Sequence, residues 1–297
     1  MTKNKKNLFY GAATALITPF CNGEIDYDSF GRLIERQIDL GIDALVICGT
    51  TGENATLSDS EHRAVLEFSL EKSGGRVPMI AGTGSNDTTH AIETSRYAAS
   101  IGYDGLLVVT PYYNKATDSG LIAHFEKIAD SSSKPIILYN VPSRTGCNIP
   151  LPVYRALSKH ENIVAVKEAS GNVGAISRLI AECGSDLDVY SGDDLLTLPI
   201  LALGGIGVIS VASNIIPSEM SLLCNKCFSG DILGARELHE KYIKLFDMMF
   251  CEVNPIPVKT AIALMGLCQD EFRLPMCVME ENNRTKLRNA LIEYGII

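Results

Sequence analysis

The chain has 297 residues, 46% of them hydrophobic, enough for one large barrel or two ordinary domains. Its 26 Lys+Arg against 35 Asp+Glu give a formal charge of −9, which argues against a nucleic-acid surface, since that needs a basic patch. No stretch is apolar for long enough to cross a bilayer; residues 195–211 come nearest and are broken by Pro199 and glycines.

At the N-terminus, Lys3-Asn-Lys-Lys6 reads as a solvated tail. The segment Gly11-Ala-Ala-Thr-Ala-Leu-Ile-Thr-Pro19 is not an apolar leader with a cleavage site, so a cytoplasmic location is expected. One rhythm then repeats. A short apolar run ends in a small or polar residue, and an amphipathic segment follows. The runs at 13–18, 44–48, 78–82, 105–110, 135–140, 163–167, 188–191 and 207–210 read as strands. Most are apolar nearly throughout, as parallel strands covered on both faces are.

Helices are expected between them. Ser58-Asp-Ser-Glu61 is a capping box that opens a helix over 59–73, and Asp87 caps 88–101. Helices over 118–131, 152–158, 173–183 and 195–203 follow, with Pro152 suited to a first turn. A tail of three more covers 231–249, 256–265 and 282–294. Eight strand–helix units predict an α/β fold, a (β/α)8 TIM barrel over 1–230, with a C-terminal helical region over 231–297 packed on it. An open doubly wound sheet fits less well, because no dinucleotide fingerprint follows the first strand.

Active sites of such barrels lie at the C-terminal ends of the strands. The residues there are Thr14, Gly49-Thr-Thr-Gly-Glu53, Gly82-Thr-Gly84, Thr110-Pro-Tyr-Tyr113, Tyr139-Asn140, Lys167-Glu168, Ser191-Gly-Asp193 and Ser210. Lys167 is the most informative. Strand alternation puts Ile163, Ala165 and Lys167 on one face and Glu168 on the other. A lysine in a barrel mouth is costly unless its charge is paired or lost, and a neutral amine attacks carbonyls. Position alone leaves three roles open: imine-forming nucleophile, structural lysine held by a carboxylate, or cation for an anion. The hydroxyls of Gly49-Thr-Thr-Gly52 suit a carboxylate or merely make a turn. Tyr112, Tyr113 and Tyr139 offer phenols for proton transfer or for packing. Arg144 sits in a turn-forming loop, either gripping a carboxylate or lying on the surface.

Other chemistries find little support. None of the glycine clusters matches a nucleotide-binding pattern. The five histidines are spread over helices and loops without a metal constellation. The nine cysteines are scattered; only Cys224-Asn-Lys-Cys227 has a metal-like spacing, and no second pair lies nearby. No cofactor and no metal is expected.

Taken together and in order, several motifs resemble the dihydrodipicolinate synthase family of class I aldolases. They are Gly49-Thr-Thr-Gly-Glu53, Thr110-Pro-Tyr-Tyr-Asn114, Tyr139-Asn-Val-Pro-Ser-Arg-Thr-Gly146, Val166-Lys-Glu-Ala169, Ser191-Gly-Asp-Asp194 and Gly207-Val-Ile-Ser210. Asn254-Pro-Ile-Pro-Val-Lys259 and Arg273-Leu-Pro-Met276 fit as well. The resemblance spans nearly the whole chain.

It implies that pyruvate condenses with Lys167 and that the resulting enamine attacks aspartate semialdehyde. It also implies that Thr50, Tyr113 and Tyr139 relay protons, with Tyr113 reaching across from a neighbouring subunit of a homotetramer. Thr51 would hold the pyruvate carboxylate, and Arg144 that of aspartate semialdehyde. Gly192 and Ile209 would make backbone contacts near the lysine. Asn54, His62, Asn86 and Tyr112 match an allosteric lysine pocket. Asp59, however, stands where lysine-sensitive relatives often carry histidine, and His90 where they carry glutamate, so weak or absent lysine inhibition is expected. N-acetylneuraminate lyase and the 2-keto-3-deoxy-sugar-acid aldolases share the fold and the lysine. They generally lack counterparts of Arg144 and of the Tyr112-Tyr113 pair.

Overall fold

The computed structural model describes residues 7–297; the basic run at 3–6 lies outside them. The chain opens with β1 (Gly11–Ala15), a short hairpin of β2 (Phe20–Cys21) and β3 (Glu24–Ile25), and α1 (Tyr27–Asp39). Alternation follows: β4 (Ala44–Ile47), α2 (Asp59–Ser73), β5 (Met79–Gly82), α3 (Thr88–Ile101), β6 (Gly105–Val109) and α4 (Asp118–Asp130). Next come β7 (Ile136–Asn140), α5 (Pro142–Thr145), α6 (Leu151–Leu157), β8 (Ile163–Glu168) and α7 (Val173–Cys183). The barrel ends with β9 (Asp188–Ser191), α8 (Thr197–Ala202), β10 (Gly207–Ser210) and α9 (Pro217–Phe228). Eight parallel strands close in the order β1-β10-β9-β8-β7-β6-β5-β4, and β4 returns to β1. This is the (β/α)8 barrel that the repeating runs predict. Beyond it, α10 (Ile232–Met248) packs on α8 and α9, and α12 (Glu281–Glu293) packs on α10 and α11 (Ile256–Leu264).

Local chemistry explains where several helices start. The Ser58 hydroxyl accepts from the Glu61 N–H, and the Glu61 carboxylate accepts from the Ser58 N–H at 2.8 Å, which fixes the first turn of α2. Asp87 caps α3 through the Thr89 N–H. Both helices span the residues expected from sequence, as does α7.

Strand alternation sorts the apolar residues into two layers. Ala13, Val46, Ile80, Leu107, Ile137, Ala165 and Ile209 fill the barrel, whereas Leu45, Val166 and Val208 face the helices.

Several elements differ from the sequence reading. The first strand covers 11–15 rather than 13–18, because it pairs from Gly11 with β10; Leu16 and Ile17 leave the sheet to pack in the outer layer. The helix expected over 195–203 is a 3-10 turn (Asp194–Leu196) followed by α8, the turn being held by the Asp193 side chain on the Leu195 N–H. The loop bearing Arg144 is the single helical turn α5, with Pro142 at its start and Gly146 in left-handed backbone behind it. α1 and α9 are two helices beyond those that the sequence pattern predicts; α1 opens on Asp26, whose carboxylate accepts from the Ser29 N–H.

The face assignment on β8 also needs correcting. Ile136 pairs with Ile163 but Ile137 pairs with Ala165, so Val164 is an extra, bulged residue. Val164 therefore joins Ala165 in the inner layer, on the side of Lys167, and Ile163 packs outward instead.

Candidate active site

Lys167 ends the inward-facing row of β8, in register with Tyr139 of β7 and Tyr190 of β9. It is 5% exposed, and its Nζ lies 4.4 Å from the centroid of the Tyr139 ring. Among the described residues no carboxylate forms an ion pair with it. Gly192 backs the lysine. A Cβ there would sit 3.1 Å from Cγ and Cε of Lys167 and 2.7 Å from the Ala169 Cβ, so only glycine leaves room for the chain.

Glu168 turns to the outer side and is fully engaged there. It accepts from Asn140 Nδ2 at 3.0 Å and 3.1 Å, from the Tyr154 hydroxyl at 2.8 Å and from the Ser170 N–H at 2.9 Å. The neighbouring carboxylate thus ties β7, β8 and α6 together and leaves the lysine alone. Burial, with Glu168 beside it, pushes the Tyr154 phenol well above its usual range.

The turn after β4 supplies hydroxyls. Cys48 takes left-handed backbone (φ +55), and its carbonyl lies so close to β5 that a Cβ at Gly82 would meet it at 2.2 Å. The chain then winds through a 3-10 turn, Thr50–Gly52. Thr18 holds this turn by donating to the Gly52 carbonyl at 2.7 Å. Thr51 is 2% exposed, and its Oγ1 accepts from Nδ2 of Asn254 at 3.0 Å. Arg144 Nη2 donates to the backbone carbonyl of the same Asn254 at 2.8 Å.

A cavity of about 900 Å³ gathers most of the residues singled out from sequence. Lys167, Tyr139, Thr51, Arg144 and Gly192 line it, together with Asn254 and Asp193. Thr50 lines an adjoining cavity of about 410 Å³, which shares Val141 and Arg144 with the first. Ile209 is wholly buried in the inner layer. Tyr113 lines neither cavity: it is 90% exposed, in left-handed backbone (φ +73), at the tip of a turn closed by Asn114. Thr14 and Ser191, read from sequence as strand ends, do not line the cavity; Thr14 donates to Gln37 of α1 at 2.6 Å and Ser191 to the Asp193 carbonyl at 2.7 Å.

The adjoining cavity also holds Asn54, His62 and Tyr112, with Asp59 and His90. His62 Nε2 donates to the Gly82 carbonyl at 3.1 Å, and burial holds its imidazole below the usual range. His90 Nε2 faces Asp59 Oδ1 at 3.8 Å. Asn86 stays outside this lining; its carbonyl accepts from Asn114 Nδ2.

What the sequence reading missed is the part played by the tail. Lys259 is 0% exposed, with Nζ 2.6 Å from the Glu53 carboxylate and 4.0 Å from the centroid of Phe20. Arg273 donates its backbone N–H to Glu53 and its guanidinium to Glu61. The only signal was that Asn254, Lys259 and Arg273 sit in the tail motifs singled out beside the strand-end ones. In chemical terms, an amine without an anionic partner shares one pocket with a hydroxyl and a guanidinium, both suited to carboxylates.

Residues 8–294 match the sequence profile of the Dihydrodipicolinate synthetase family. The chain is 50% identical over 290 residues to the 4-hydroxy-tetrahydrodipicolinate synthase of Geobacter sulfurreducens, covering 98% of this chain and 100% of that one. The crystal structure of dihydrodipicolinate synthase from Aquifex aeolicus superposes with a TM-score of 0.95 at 47% identity, over 97% of this chain and 99% of the other. The chloride-inhibited enzyme from Acinetobacter baumannii, solved in complex with pyruvate, superposes with a TM-score of 0.95 at 42% identity, over 97% and 99% of the two chains.

Proposed function

This chain belongs to the dihydrodipicolinate synthetase family, and on that premise we propose that Lys167 is the amine through which it joins its two substrates. The protein is a lyase of the class I aldolase type. It condenses pyruvate with L-aspartate 4-semialdehyde to 4-hydroxy-tetrahydrodipicolinate, the first committed step of diaminopimelate and lysine biosynthesis.

The observation that carries the role of Lys167 is a buried amine with no ion-pair partner among the described residues, at the mouth of the barrel. Its nitrogen attacks the keto carbon of pyruvate and water leaves, giving an imine. The protonated imine is a better electron sink than the ketone, so a methyl proton can leave to form the enamine. The enamine carbon attacks the aldehyde of the second substrate. The substrate's own amino group then displaces Lys167 as the ring closes. Thr51 is assigned to the pyruvate carboxylate and Arg144 to that of aspartate semialdehyde. Backbone contacts are assigned to Gly192 and Ile209, and proton relay to Thr50, Tyr139 and Tyr113.

The near-complete exposure of Tyr113 supports delivery of this tyrosine to the site of a neighbouring copy, the pairing we assign to each half of a homotetramer built as a dimer of dimers. Full activity in a sedimenting monomer would overturn that assembly. No described helix is long and apolar enough to cross a membrane. We place the enzyme in the cytoplasm and take residues 231–297 as an extension of the barrel rather than an independent domain.

The test is reductive trapping. Borohydride added with pyruvate should convert the imine to a stable secondary amine on the peptide that contains Lys167. A label on any other side chain would refute the assignment.

Weak or absent inhibition by lysine is part of the same reading. Among the described residues, Asp59 is the one carboxylate lining the adjoining cavity, and it already faces His90. A free amino acid's ammonium group must compete with that imidazole. Activity should be retained in millimolar lysine, and strong inhibition would refute the reading.

A further inference from the structure

We propose that Asn254 is a positioning residue whose side-chain amide dictates which way the Thr51 hydroxyl presents its proton, and hence how tightly pyruvate is held. The inference rests on the assignment of Thr51 to the pyruvate carboxylate. A hydroxyl offers one hydrogen and two acceptor sites. An amide nitrogen can only donate, so the 3.0 Å contact from Asn254 Nδ2 makes Thr51 Oγ1 the acceptor. The hydroxyl hydrogen is then left for another partner, and among the described residues no recorded bond takes it. A carboxylate accepts only, so it needs this hydrogen.

Two further observations set Asn254 apart from an ordinary packing residue. Its Oδ1 is buried without a hydrogen-bond partner among the described residues, although the residue is only 5% exposed. An orphaned buried acceptor costs stability, which an apolar side chain at 254 would avoid. Its backbone carbonyl also takes Arg144 Nη2 at 2.8 Å, so one residue of the C-terminal region touches both carboxylate-binding groups. The two functions are separable, because the carbonyl survives any side-chain replacement.

The experiment compares Asn254→Ala with the parent protein, alone and in a Thr51→Val background. It reads the KM for each substrate, kcat, the denaturation midpoint, and borohydride labelling at saturating pyruvate. The KM for pyruvate should rise roughly tenfold, the worth of about one hydrogen bond to a charged group. The KM for aspartate semialdehyde should stay within about twofold, and the midpoint should not fall. In the Thr51→Val background the further rise should shrink to less than about threefold, because the hydroxyl through which the amide acts is gone. Asn254→Asp, nearly isosteric, should raise the pyruvate KM further, since a carboxylate at 254 accepts the Thr51 proton and repels the substrate. Labelling of Lys167 should persist in each Asn254 variant at saturating pyruvate. An unchanged pyruvate KM in both Asn254 variants would overturn the proposal, and so would effects of Asn254→Ala and Thr51→Val that multiply in full. Absence of label on Lys167 in the parent protein would instead sink the reading of the site on which the proposal stands.

Discussion

Replacing Lys167 by alanine should lower turnover on the order of 10³-fold or more while leaving the denaturation midpoint unchanged or raised. The two effects part because this amine is buried without an ion-pair partner among the described residues. Removing it breaks no salt bridge and relieves the cost of a polar group held out of water. Lys167→Arg separates the roles that position alone leaves open. Arginine keeps a cation at the site, but its guanidinium does not deprotonate in proteins and forms no imine with pyruvate. If the lysine served only to attract an anion, the arginine variant would retain much of the activity. We expect it to be as inactive as the alanine variant in a coupled assay with pyruvate and aspartate semialdehyde, and to gain no mass on borohydride treatment. Turnover of either variant near the parental rate would end the account.

Lys259 should behave in the opposite way. It is more deeply buried than Lys167 but sits 2.6 Å from the Glu53 carboxylate, with Phe20 and Phe272 over the ammonium. Taking away one member leaves the other as a buried charge without its partner, which costs about 3–5 kcal/mol. Lys259→Met and Glu53→Gln should therefore each lower stability by about that much, read from denaturant midpoints with unchanged slopes. The double variant should lose clearly less than the sum, because the penalty of the abandoned charge is no longer counted twice. Each single variant should also raise the KM for pyruvate, since Glu53 directly follows the Thr50–Gly52 turn. Single variants as stable as the parent, or losses that simply add, would show that the pair is not a coupled unit.

The contrast between the two lysines shows how far the sequence reaches. Lys167 could be singled out because a polar residue closes an apolar run, and in a barrel that place is the mouth. Nothing adjacent to Lys259 marks it as a buried cation, because its partner lies 206 residues away. The same holds for Asn254, which meets Thr51 across 203 residues. For Tyr113 the resemblance implies service to a neighbouring subunit, and the folded chain leaves it exposed and outside both cavities.

Local patterns in the chain were enough to place the eight strands and six of the helices that follow them, the capped starts of α2 and α3 and Lys167 on the inner side of its strand. All of these depend on neighbours within a few residues: side-chain period, a cap and the N–H it satisfies, an apolar run and its end. Closure of the barrel decided the rest. Pairing with β7 forced the bulge at Val164 and turned Ile163 outward, and pairing with β10 drew the first strand back to Gly11. The returning tail set the amide of Asn254 on Thr51 and its carbonyl on Arg144. Those contacts join groups that only a closed fold brings together, so no local pattern of residues specifies them.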